Sequence, residues 1–199
     1  MSKKAIILFG AVATLSVVAA FFFPITRAYV SYWFFSERTT ATPKIETVVG
    51  QNRAAPNMLY IPTLGIAAPI VESVESTESA YQKALESGVV RHPQSAQVGT
   101  VGNAYIFGHS SDYLWSGGKY KTVFALLPQI QIGAPLFVTD SEGTQYEYRV
   151  FQKMVVSPTD TWVLDPIEGT EYALTLQTSY PLGTALKRYI VRAELWNAQ

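Results

Sequence analysis

Few residues in this chain could do chemistry, and three of them are spaced as a set. Ser179 closes an apolar, β-rich run (Tyr172 to Thr178) in the stretch LTLQTSYP, and Arg188 opens the next such run, RYIV, nine positions later. If the Gly-containing connection doubles back, two strand ends present a hydroxyl and a fixed cation side by side. A guanidinium stays charged at every relevant pH and donates in a fork, which suits it to hold a carbonyl or an oxyanion. A serine hydroxyl becomes a nucleophile only with a base beside it.

The chain has two histidines, so the search for that base is short. His109 ends the apolar stretch NAYIFGH, and Gly108 before it lets another backbone or a ligand come close. A strand-terminal histidine beside a loop is a candidate general acid and base. The plainer reading is a partly buried imidazole satisfied by a backbone carbonyl. For Arg188 the plainer reading is a surface arginine, with Lys187 and Arg192 as neighbours of the same kind. His92, between Arg91 and Pro93, reads as a structural hydrogen-bonding residue. Asp112 and Asp160, both in loops, are the carboxylates considered as orienting partners of His109. Neither His-x-x-His nor His-Glu spacing occurs, and Glu142 and Glu168 are not spaced for calcium, so no metal and no cofactor are expected.

The bulk composition narrows the class. The 199 residues allow one domain with a real core plus an appendage. Formal net charge is zero, so there is no general basic footprint and no nucleic-acid partner is expected. Twelve Tyr, ten Phe and many β-branched residues favour β structure. There is no cysteine, which excludes disulfides, thiolate metal sites and a thiol nucleophile, and fits an extracytoplasmic protein without disulfides.

Residues 5–23 (AIILFGAVATLSVVAAFFF) carry no charge and have about the length of a membrane-crossing helix. Lys3 and Lys4 precede them and an aromatic cluster, Tyr29 to Phe35, follows, so the N-terminus is predicted cytoplasmic and the remainder outside. A cleaved signal peptide is the competing reading, but the apolar run is longer than its usual core and no clean small-x-small site follows. Residues 1–35 are thus read as cytoplasmic tip and anchor, 36–57 as a polar, Thr- and Pro-containing linker, and 58–199 as the folded domain. Within that domain Met58–Pro62 and Ile66–Val71 read as strands, with Pro62 and Pro69 placing them at edges or bulges. Ser79–Glu86 reads as a short helix, Val89–Gln94 as extended and Asn103–His109 as a strand. Thr122–Leu127 is a helical turn stopped by Pro128. Pro135–Thr139 and the long Gln145–Val156 are strands, and Ser157–Thr170 is a loop containing Trp162. Seven or eight short strands with two short helices predict an all-β barrel, without the helix–strand alternation of parallel sheets.

Four segments, in order, resemble one family. MLYIPTLGIAAPIV resembles the opening Ile-Pro-x-x-Gly hairpin of the sortases, and GVVRHPQSAQVGTVGNAYIFGHSS their stretch ending in the catalytic Gly-His. SPTDTWVLDP resembles the loop before the active-site strand. LTLQTSYPLGTALKRYIV resembles the Thr-Leu-x-Thr-Cys-x-Pro stretch followed by Arg-x-Ile-Val. The match covers Met58 to Leu195. It implies an eight-stranded sortase-like β-barrel behind an N-terminal transmembrane helix, hence a single-pass protein of the cell membrane with an extracytoplasmic catalytic domain. It also implies a transpeptidase that cleaves a C-terminal sorting signal similar to Leu-Pro-x-Thr-Gly through an acyl-enzyme. The acyl group passes to an amine acceptor, a cell-wall peptide or a pilin lysine. His109 and Arg188 take the family's His and Arg positions. Ser179 takes the Cys position, where a hydroxyl is far less acidic than a thiol of pKa about 8.5. Three accounts fit: an introduced Cys→Ser change, a variant with weak serine chemistry, or a tethered module that binds sorting-signal peptides without turnover.

Overall fold

The computed structural model describes residues 55–72, 75–111 and 118–198. The anchor assigned to 1–35, nearly all of the 36–57 linker and Asp112 lie outside them. Among the described residues no helix is long and apolar enough to cross a membrane.

Alternation of apolar and polar residues sets eight strands, because successive side chains in a strand point to opposite faces. They are β1 (Met58–Ile61), β2 (Ile66–Glu72), β3 (Val89–Arg91), β4 (Gly102–Phe107), β5 (Pro135–Thr139), β6 (Gln145–Val156), β7 (Tyr172–Tyr180) and β8 (Lys187–Ala198). They close into a barrel in the order β1-β2-β3-β4-β7-β8-β6-β5. One helix, α1 (Glu78–Leu85), starts at Thr77, whose side chain accepts a hydrogen bond from the Ala80 amide. Three 3-10 turns complete the elements: Pro62–Leu64, Leu127–Gln129 and Thr161–Leu164.

The barrel interior is one apolar cluster that includes Leu59, Ile106, Leu136, Tyr148, Leu174, Leu176 and Val191. Phe124, Leu127 and Ile130 from the β4–β5 connection belong to it and plug one mouth. A second, smaller cluster lies on the outer face of the same wall. Tyr105 and Ile190 meet Val156 and Val163 there, with Phe107 and Leu164 packed against them. Its origin is topological. β6 ends at the pole where β7 also ends, so residues 157–171 must cross the whole outer face to reach the start of β7. The buried Asn103 side chain fastens this crossing. Its Nδ2 donates to the carbonyls of Val163 (3.0 Å) and Asp165 (3.2 Å), and its Oδ1 accepts from Thr175 Oγ1 (2.8 Å).

The predicted all-β barrel is therefore present, with four departures in detail. First, the barrel is mixed: β2 pairs with β3 and β4 with β7 in parallel. The first parallel pair is a strand–helix–strand crossover through α1, the alternation the sequence reading excluded. Second, there are no edges for the prolines to occupy. Pro62 opens a 3-10 turn, and Pro69 precedes the first register pair of β2 with β3, Ile70↔Val89. Third, Pro128 lies inside a 3-10 turn instead of stopping a helical one, since a proline in a first turn removes a donor that has no partner anyway. Fourth, β3 stops at Arg91, because its guanidinium gathers the carbonyls of His92, Ser95 and Ala96 into a turn while gripping Glu72 at 2.9 Å.

Candidate active site

Ser179 lies in the last turnings of β7, and its register partner across the antiparallel ladder is Arg188 in β8. Directly opposed residues share a face and hold their Cβ atoms about 5 Å apart. The expected doubling back is thus realised, with the connection turning at Gly183 (φ 81) and closed by the Thr184 amide on the Pro181 carbonyl at 2.9 Å. On the other side of β7, β4 runs parallel with Phe107 beside Gln177. Continuing that register by two residues brings His109 level with Ser179. All three residues are on the outward parity of their strands, opposite to Ile106, Leu176 and Val191, which enter the barrel core.

The backbone around His109 is held from two sides. Thr178 Oγ1 donates to the Gly108 carbonyl at 2.9 Å, and the Phe124 amide donates to the His109 carbonyl at 2.9 Å. Gly108 is needed here. A Cβ at that position would come 2.8 Å from the Phe124 ring and 3.0 Å from Val89. Arg188 Nη1 donates to the carbonyls of Ala185 (3.0 Å) and Lys187 (3.1 Å), which aims the guanidinium along its own loop. Among the described residues no carboxylate pairs with it.

His109, Ser179 and Arg188 line one groove of about 280 Å³ on this outer face. The crossing loop supplies one bank through Pro158, Thr161 and Leu164, and α1 supplies the other through Glu78 and Tyr81. Asp160 also lines it, but its Oδ2 accepts from the Ser157 amide at 2.7 Å, a bond that closes the loop's turn. The sequence singled out neither Tyr105 nor Gln177, yet both form the floor. The Tyr105 hydroxyl donates to Gln177 Oε1, and burial pushes its pKa far above the ordinary tyrosine value, against the opposing pull of Arg188 and Arg192. Period-two counting back from Ser179 would have placed Gln177 on the same face. The partner strand is not legible in that way.

His92 has the structural bond expected of it, accepting the Gln94 amide on Nδ1 at 3.3 Å. Its ring also reaches the groove, between Tyr81 and Tyr105 at centroid distances of 6.0 and 6.2 Å. Burial first, and the Arg91 charge second, hold its pKa below the usual histidine value, so it is a neutral wall residue near pH 7.

A closed mixed barrel with a His, a hydroxyl and an Arg on three adjacent strand ends defines a class that comparison then specifies. The Sortase domain family matches residues 59–196. The chain belongs to the sortase family. Solved structures agree. Sortase D5 of Clostridium perfringens, described as a transpeptidase, is 26% identical with a TM-score of 0.56, covering 70% of this chain and 78% of that one. Sortase E of Streptomyces avermitilis is 27% identical with a TM-score of 0.57, covering 75% and 93%. A lid mutant of sortase A from Corynebacterium diphtheriae is 27% identical with a TM-score of 0.58, covering 70% and 69%. No curated protein matches the sequence.

Proposed function

We propose that this chain is a membrane-tethered, extracytoplasmic sortase-type transpeptidase in which His109, Ser179 and Arg188 form the active centre. The observation that carries the reading is the direct cross-strand pairing of Ser179 with Arg188, with His109 continuing the parallel register on the other side. An extended peptide similar to Leu-Pro-x-Thr-Gly lies in the outer groove, between α1 and the crossing loop. Ser179 Oγ attacks the scissile Thr–Gly carbonyl carbon, and His109 takes the hydroxyl proton. Arg188 donates to the oxygen that gains charge. The C–N bond breaks, His109 returns the proton to the leaving amine, and an ester remains on Ser179. An incoming amine then forms a new amide and releases the Ser179 oxygen, which recovers a proton through His109.

The weak step is acylation. A serine hydroxyl has no thiolate-like fraction at neutral pH and depends wholly on His109 for activation. A labelled sorting peptide and an amine acceptor, given to the protein and to Ser179→Cys, test this. The Cys form should turn over at least about 100-fold faster, since it gains a nucleophile whose thiolate is within reach of pH 7. If neither form cleaves any member of a broad peptide library, the enzyme reading is wrong. The second reading, a tethered module that holds sorting peptides without turnover, is favoured by the absence of any thiol in the chain. Peptide binding to the Ser179 protein with no ester detectable by mass spectrometry would select it.

A further inference from the structure

Ser179 faces two cavities, of which the outer groove is one. The second lies on the inner side of the same strand ends, at the plugged mouth of the barrel, and Thr178 and Ser179 line both. This chamber measures about 140 Å³ and is walled by Phe124, Ala125, Pro128 and Leu182. Ser110, the residue after His109, also lines it. That residue is 3% exposed, and its hydroxyl is buried without a hydrogen-bond partner. Buried hydroxyls are nearly always paired, so an orphan beside a nucleophile marks a place for a missing partner.

We propose that this chamber receives the acceptor, an unbranched primary amine, with the Ser110 hydroxyl as its hydrogen-bond partner. The inference rests on the transpeptidase reading and deepens it by separating the two substrates. Peptide occupies the outer face, amine the inner, and the ester on Ser179 lies between them. The chamber's volume equals that of four to five waters at about 30 Å³ each. It accommodates the aminomethyl end of a glycine N-terminus or a lysine tip, and excludes a branched or aromatic first residue. No acidic side chain lines it among the described residues. Apolar walls without a counter-charge disfavour an ammonium ion, so the amine enters neutral, with its lone pair available. One amine N–H donates to Ser110 Oγ. The lone pair attacks the acyl carbon, a C–N bond forms, the C–O bond to Ser179 breaks, and His109 moves the surplus amine proton to the released oxygen.

Two measurements decide it. In Ser179→Cys, adding Ser110→Ala should lower the ratio of aminolysis by triglycine to hydrolysis by fivefold or more, through a raised KM for triglycine. Leu182→Ala should extend acceptance to peptides beginning with valine. Equal losses of aminolysis and hydrolysis, or an unchanged ratio, overturn the proposal. Independently of turnover, ligand-detected NMR on the Ser179 protein should show triglycine binding that Ser110→Ala weakens and Leu182→Trp abolishes. Absence of binding, or binding indifferent to both variants, overturns it as well. If Ser179→Cys cleaves nothing while this binding pattern holds, the amine site stands and the enzyme reading fails. Both variants should melt no lower than the parent, since one removes an unpaired hydroxyl and the other alters a loop side chain.

Discussion

At Ser179 the sheet places an oxygen directly across from a guanidinium, and the exchange of residues at these positions should have unequal effects. In the Ser179→Cys protein, Arg188→Ala should lower kcat by about 100- to 1,000-fold, the range for losing an oxyanion donor. Arg188→Lys should recover little of it, because an ammonium lacks the planar fork. Steady-state kinetics with a fixed peptide check both. His92 carries a different expectation. Its folded pKa lies below the unfolded value near 6.5, so the unfolded chain binds the extra proton first and stability falls as pH drops through and below about 6.5. His92→Gln should flatten the decline of Tm between pH 7 and 5. Residue identity was the most legible level of this site. Spacing and strand context singled out Ser179, Arg188 and His109. Ser110 and Tyr105 gave no such signal, because an orphan hydroxyl and a buried phenol are defined by surroundings that exist only after folding.

The elements that matter most are β4, β7 and the crossing loop between β6 and β7. Asn103 joins all three, and Asn103→Ala should cost about 2–3 kcal/mol, since it strands two loop carbonyls and the Thr175 hydroxyl. Denaturant midpoints measure the loss. Peptide KM in the Ser179→Cys background should rise with it, because the loop is one bank of the groove. Gly108→Ala tests the other side. The added methyl meets Phe124 at 2.8 Å and must displace the ring or the His109 backbone, so kcat should fall more than KM rises. Strands were readable wherever alternation was clean, as in β4, β6 and β7. The 157–171 loop read correctly as a loop, but its path did not, since nothing in a Pro/Asp-rich stretch says which face it covers. Arg91 shows a related limit. Its side chain ends β3 by collecting carbonyls, and propensity alone extends that strand to Gln94.

Taken whole, the molecule is a barrel that closes without residues 1–54. Ala55 already contributes, its carbonyl accepting from Thr139 Oγ1 at 2.6 Å. A protein beginning at Ala55 should therefore unfold cooperatively, with coincident circular-dichroism and fluorescence transitions. All-β barrel architecture was legible because short alternating segments with turns between them leave few alternatives. The parallel pairings were not. They depend on which strand ends meet across the barrel, and α1 was too short to advertise a crossover.

The strand directions also give the barrel two unlike ends. β1 begins at Met58, whose amide donates to Thr139 Oγ1; Thr139 pairs with Gln145, and Tyr146 pairs with Ala198. The described chain thus enters and leaves beside the same rim, while Ser179 lies at the opposite one, most of the nine-residue length of β7 away. Anything fastened at either terminus, whether a lipid surface, a bead or a fused fluorescent protein, hangs from the back of the molecule. The working end stays pointed outward, and immobilised preparations should keep it unobstructed whichever terminus is used.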